Sequence, residues 1–116
     1  VNEPEETIGY DTFSKVDIRV GRIDSVSEVP KSKKLLKLQV DFGSQVGTRQ
    51  ILAGIAESFP LHAELIGLHT VFVINLEPRR MMGHDSHGMI LAAEGTDRAV
   101  ELTLFPPSVV PGSRVG

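Results

Sequence analysis

Cysteine is absent from the 116 residues, so no disulfide framework, thiolate metal site or cysteine nucleophile can be built. Tryptophan is absent too, and the aromatic supply is five Phe and one Tyr. Many single-strand binders stack successive bases on exposed aromatic rings. Here Phe42, Phe59 and Phe72 sit in apolar surroundings that mark them as core, which leaves little to stack on. No apolar run approaches the roughly 20 residues of a membrane span, and no basic-then-apolar leader opens the chain. A Gly-rich phosphate loop is missing, and the length leaves no room for a dinucleotide-binding unit. These absences fit one soluble domain, expected in the cytoplasm, and exclude cysteine-based chemistry and a nucleotide-binding core.

Charge of one sign is also scarce. The formal net charge is −3, from 12 Lys and Arg against 15 Asp and Glu. Four of the acids (Glu3, Glu5, Glu6 and Asp11) lie in an opening that holds no Lys or Arg, so the balance beyond Asp11 is +1. Fields beyond about 8 Å are largely screened at physiological salt, so local clusters matter more than the total. Two exist: Lys31, Lys33, Lys34 and Lys37 in one run, and Arg79-Arg80 in another. Such a patchy surface predicts modest, salt-sensitive affinity for a polyanion. The chain opens on Val, and its acidic start reads as a linker, which favours an excerpt from a longer protein: residues 1–12 as extension and 13–116 as the domain.

Strand signals dominate what is present. Val16 to Val29 alternates apolar and polar residues with a break at Gly21, where a bulge or bend is expected. In Leu36 to Phe42 the apolar residues Leu36, Leu38, Val40 and Phe42 face one way and Lys37, Gln39 and Asp41 the other. Gly43 to Gly47 reads as a hairpin connection and Thr48 to Ile55 as a third strand. A short helix is expected at about Pro60–Leu65, then buried strands at Thr70–Leu76 and Met89–Ala93 and a last short one at Val100–Phe105. Three strands, a helix and two strands is the order of the OB-fold, a five-stranded Greek-key barrel, here with a C-terminal extension.

Two stretches invite chemistry. Arg79 and Arg80 leave a buried strand through Pro78 and precede a Gly-bounded polar loop; adjacent guanidiniums suit bidentate contact with phosphate. The bland alternative is a solvated pair balancing Glu77 and Asp85. His84-Asp-Ser-His87 holds the residue types of a hydrolase triad, but sequence neighbours generally point apart and no Gly-x-Ser-x-Gly elbow is present. His62, His69, His84 and His87 match no metal-ligand spacing, so neither a metal nor a cofactor is expected.

The run Asn75-Leu-Glu-Pro-Arg-Arg-Met-Met-Gly-His-Asp-Ser-His-Gly-Met89, with Phe13-Ser-Lys-Val-Asp-Ile-Arg-Val-Gly21 and Arg49-Gln-Ile-Leu-Ala-Gly-Ile-Ala56, resembles the tRNA-binding OB-fold domain family. That family includes the C-terminal appendix of bacterial methionyl-tRNA synthetases, free-standing tRNA-binding dimers and CsaA-type export chaperones. The motifs match in order from Phe13 to Val115. Departures are confined: Val29-Pro-Lys-Ser-Lys-Lys-Leu35 keeps only Pro30, Lys34 and Leu35 of a His-Pro-Asn-Ala-Asp-Lys-Leu pattern, Ala53 stands where relatives often carry Ser, and His87 replaces an acid between Ser86 and Gly88.

The resemblance implies structure-directed, largely sequence-independent tRNA binding by a dimer-forming auxiliary module of methionyl-tRNA synthetase. Its partners would be tRNA, a second copy and the catalytic body in cis, with no membrane or DNA. The implied tRNA face comprises Lys33, Lys34, Lys37, Arg49, Gln50, Asn75, Arg79, Arg80, Ser86, His87 and Met89. Ser86 is expected to donate to phosphate or base, and His87, if protonated beside a phosphate, to strengthen binding as pH falls. Lys31 remains open as a merely solubilising charge. Beyond the barrel, the apolar Val109, Val110 and Val115 would help form the dimer or pack on their own barrel. Alternatives are a CsaA-type polypeptide-binding chaperone and a pure dimerisation module.

Overall fold

A computed structural model of the chain describes residues 3–97 and 99–116. A short α-helix, α1 (Tyr10–Phe13), closes the opening segment. The strands follow as β1 (Ile18–Glu28), β2 (Leu36–Asp41), β3 (Thr48–Ala53), β4 (His69–Val73), β5 (Arg79–Met81), β6 (His84–Ser86), β7 (Met89–Ile90), β8 (Ala92–Glu94) and β9 (Val100–Leu102).

β1, β2 and β3 form an antiparallel meander, and β4 returns to lie beside β1, so the sheet order is β3-β2-β1-β4-β7. This is the Greek-key arrangement. The 11-residue β1 is shared between the two halves: Ile18 to Arg22 pair with β4, and Arg22 to Glu28 pair with β2. A strand that changes partners along its length must curl, and the sheet becomes a half-barrel of the OB-fold type. The β5–β6 hairpin lies along the free edge of β3, where His87 N–H donates to the Gln50 carbonyl at 2.8 Å.

The strict alternation of β2 buries Leu36, Leu38 and Val40 and leaves Lys37, Gln39 and Asp41 on the outer face. Inside, Phe42 and Phe72 meet edge to face with centroids 5.3 Å apart, among Ile23, Ile51 and Leu65. Gly21 lies against this pair. A Cβ there would come within 2.5 Å of Val40 Cγ1 and 2.7 Å of Phe42 Cε1, so only glycine lets β1 cross the core this closely. The expected irregularity at Gly21 therefore falls elsewhere, at Asp24, where the β1–β2 register shifts between Ile23 and Ser25.

Other expectations shift as well. The interval between β3 and β4 holds two 3₁₀ turns, Ala56–Ser58 and His62–Leu65, because Pro60 and Gly67 leave too few residues for a cooperative α-helix. Met89–Ala93 is neither continuous nor buried: β7 pairs with β4, and β8 peels off to pair with β9. The final strand stops at Leu102, with Phe105 making one isolated bridge to His69. The C-terminal segment packs on its own barrel. Val20 N–H donates to Ser113 O, Gly112 N–H to Val20 O and Val115 N–H to Ile18 O, each at 2.8 Å.

Candidate nucleic-acid interface

Two connections flank the open face of the β2–β3 ribbon. The β1–β2 loop carries Lys31, Lys33 and Lys34, all exposed. Its shape is held by Ser32, whose Oγ accepts from Leu35 N–H at 3.1 Å, and by Ala56 N–H, which donates to Lys34 O at 3.0 Å. The second connection, between β4 and β7, is not the irregular loop its polar composition implied. It folds into the β5–β6 hairpin, turned by Met82 and Gly83 at φ of 50° and 83°. Positive φ at both central residues is the type I′ geometry, whose twist matches the strands it joins.

The hairpin sorts its side chains. Arg80 stands opposite Asp85 and binds its carboxylate at 3.0 Å. Arg79, two positions from Met81 and opposite Ser86, lies on the other face; it is exposed and makes no ion pair among the described residues. Ser86 is 3% exposed, and its hydroxyl accepts from Leu52 N–H and donates to Gly88 O, both at 3.0 Å. Its single proton is therefore committed inside the fold. These two bonds rivet the hairpin to β3.

Two clefts open beside the hairpin. The first, of about 690 Å³, brings Arg49, Gln50, Asn75 and His87 together, with Glu77. The second, of about 380 Å³, is walled by Leu52, Ile55, Met81, Met89 and Val100, with Arg79 and Ser86. Leu76 and Glu77 line both. Lys37 is the cross-strand partner of Leu52, which puts it beside the second cleft. Lys33 lies apart, lining a smaller cavity with Glu28 and His62.

Several polar groups in the first cleft are braces. Gln50 accepts from Gln39 Nε2 at 3.2 Å and donates to Asp85 O at 3.0 Å. Asn75 accepts from Asp17 N–H at 2.8 Å and donates to Lys15 O at 2.5 Å, tying the segment before β1 to the end of β4. Arg49 donates to Ile74 O at 2.5 Å. Beneath them Asp17 takes Arg19 at 2.6 and 3.2 Å, a bidentate bond that holds the Asp17 carboxyl below the usual aspartate range against the opposing effect of desolvation. Arg19 and Arg114 were not singled out from sequence. They are 95 positions apart and meet only because the tail returns to β1.

The described residues contain no group of His, Asp and Glu placed to hold a metal, and no helix long and apolar enough to cross a membrane. A half-barrel of the OB-fold type, with basic connections around an open ribbon and clefts of mixed polarity, is the architecture of a small recognition domain.

Comparison with known proteins then names the family. Residues 18–114 match the family described as "Putative tRNA binding domain", and the chain belongs to it. The methionine–tRNA ligase of Archaeoglobus fulgidus is 47% identical over 113 residues, 97% of this chain but 17% of the ligase. The chain thus spans about a sixth of the length of that relative and is homologous to the C-terminal domain of methionyl-tRNA synthetase. Among solved structures, a MetRS-related protein from Pyrococcus horikoshii superposes with a TM-score of 0.88 at 38% identity, covering 97% of this chain and 100% of that one. The CsaA chaperone of Picrophilus torridus superposes at 0.84 with 32% identity, covering 95% and 100%.

Proposed function

We propose that this domain binds tRNA through its phosphate backbone, largely without regard to sequence, as a dimer-forming auxiliary module of methionyl-tRNA synthetase in the cytoplasm. The observation that carries the reading is Arg79, exposed and without an ion pair among the described residues, on the cleft side of a hairpin built into a tRNA-binding family fold. Lys33, Lys34, Lys37, Arg49, Arg79 and Arg80 are the phosphate contacts; His87 and Met89 face the ligand from the cleft rims. Gln50, Asn75 and Ser86 act one step back by fixing the strands and hairpin that present them.

The domain performs no aminoacylation of its own. Weak tRNA contact beside a catalytic body, doubled by a second copy, raises effective concentration without new contacts at the active site. Exposed Tyr10, Phe13 and Val16, in the segment that leads into β1, supply apolar surface for a second copy. The test is tRNA binding by Arg79→Ala across several tRNA species. A similar weakening in all of them, on the order of 1–3 kcal/mol at low salt, is expected for a charge-assisted backbone contact. A loss confined to one species would contradict it.

One observation favours a second reading, polypeptide binding. The second cleft is walled by apolar side chains, and the fold is similar to a CsaA chaperone. Against it stands the guanidinium of Arg79 on that same cleft, with Lys37 beside it.

A further inference from the structure

The barrel end beneath the first cleft gathers more positive charge than its fold requires. Arg19 and Arg114 oppose each other in an antiparallel bridge, so their side chains share a face with Cβ atoms about 5 Å apart. Each nitrogen of Arg19 is engaged: its Nε and Nη2 hold Asp17, and its Nη1 donates to Gly112 O at 3.1 Å. Ile74 links a third arginine to this pair. Its N–H donates to Asp17 O at 2.9 Å, and its carbonyl accepts from Arg49.

One carboxylate therefore serves three guanidiniums. Arg19, Arg114 and Arg49 all help to hold the Asp17 carboxyl ionised, Arg19 most strongly through its hydrogen bonds. The ion pair needs only Arg19. Arg114 is exposed and forms no ion pair among the described residues, and directly opposed like charges cost stability rather than adding it. Arg49 continues the cluster into the first cleft, whose wall runs through Glu77 and Pro78 to the start of the β5–β6 hairpin. Glu77 is the acid on that cleft, so the uncompensated charge lies at the Arg49 and Arg114 end.

We propose that Arg114 and Arg49, positioned by the Asp17–Arg19 pair, form a second phosphate-binding patch that grips the tRNA backbone separately from the hairpin arginines. The inference rests on the tRNA-binding reading and deepens it. A strand laid from Arg114 past Arg49 and along the cleft to Arg79 meets cations at both ends. The C-terminal tail thereby becomes part of the binding surface as well as of the barrel.

The experiment is a tRNA titration of the whole chain carrying Arg114→Ala or Arg114→Lys, over a series of salt concentrations. Arg114→Ala is expected to weaken binding about fivefold at low salt and to reduce the slope of log K against log salt by about 1, while Arg114→Lys keeps the slope. A second readout needs no RNA: inorganic pyrophosphate should raise the thermal midpoint of the unmodified chain more than that of Arg114→Ala. Unchanged affinity and slope in Arg114→Ala, or an equal pyrophosphate response in both chains, overturns the patch. Should Arg79→Ala still weaken binding in that case, the patch alone has failed. Should neither variant affect tRNA, the tRNA-binding reading has failed with it.

Discussion

Ser86 ties the hairpin to β3 from beside the proposed ligand face. Its hydroxyl stands between Leu52 N–H and Gly88 O, with 3% of the residue exposed. Ser86→Ala leaves the buried Leu52 N–H without an acceptor, which costs about 1–3 kcal/mol of stability. The thermal midpoint and tRNA affinity should fall together. A loss of affinity with an unchanged midpoint would instead mean direct contact with RNA. Asp17 makes a pH-dependent case. Its carboxyl is held below the ordinary value by Arg19, so its contribution is complete above about pH 4 and is lost as pH falls through the lowered folded value. Asp17→Asn should be less stable than the unmodified chain at neutral pH, and the gap should narrow as acid is added. Urea midpoints from about pH 2 to 7, spanning the ordinary aspartate value, measure this. A gap that stays constant across that range contradicts the role given to the carboxyl.

Elements differ in how much of them the sequence discloses. β2 is legible because its outer face is wetted and its inner face meets Phe72 and Ile51, a contrast that writes a period of two into the chain. The β5–β6 hairpin is not, since Arg79, Arg80 and Asp85 carry no apolar alternation; its strand character comes from the Met82-Gly83 turn and from anchoring to β3. Gly21 was misread for a similar reason. What forbids a side chain there is Val40, Phe42 and Phe72, brought in from two other strands and a strand end. The cationic loops were visible because charge is local, whereas Leu52, Ile55 and Val100 belong to the core or pack against it, and nothing in the sequence shows that they also wall the second cleft. Asn75 and Ser86 look the same in sequence whether they face a ligand or a backbone amide. The hairpin itself gives an element-scale prediction. Gly83→Val places a β-branched residue at φ 83°, a cost of roughly 1–2 kcal/mol or more. The hairpin should lose hydrogen-exchange protection and tRNA affinity should drop, while Phe72 and its neighbours remain protected. Loss of protection throughout the barrel would mean that the hairpin is integral to the core.

For the whole molecule, the question is what a chain of net charge −3 can hold. Eight of its 12 basic groups fall on two connections (Lys31, Lys33, Lys34, Arg79 and Arg80) and one barrel end (Arg19, Arg49 and Arg114), while four acids lie in the opening segment, so attraction is local and readily screened. On the proposed reading, recognition fits several phosphates at once, which a folded RNA presents in fixed relation and a flexible strand does not. Few exposed aromatics are available to favour the single strand: Phe42 and Phe72 are buried, Phe59 packs against the core, and Tyr10 and Phe13 lie at α1, away from both clefts' walls. The most direct measurement is one titration of the chain against total tRNA, an unstructured RNA of matched length and an unfolded polypeptide, at low and high salt. The account predicts preference for tRNA with a slope of log K against log salt of roughly −3 to −5, from four to six engaged cations. Polypeptide binding with no preference for tRNA, insensitive to salt, would contradict it and point to the apolar cleft as the working surface.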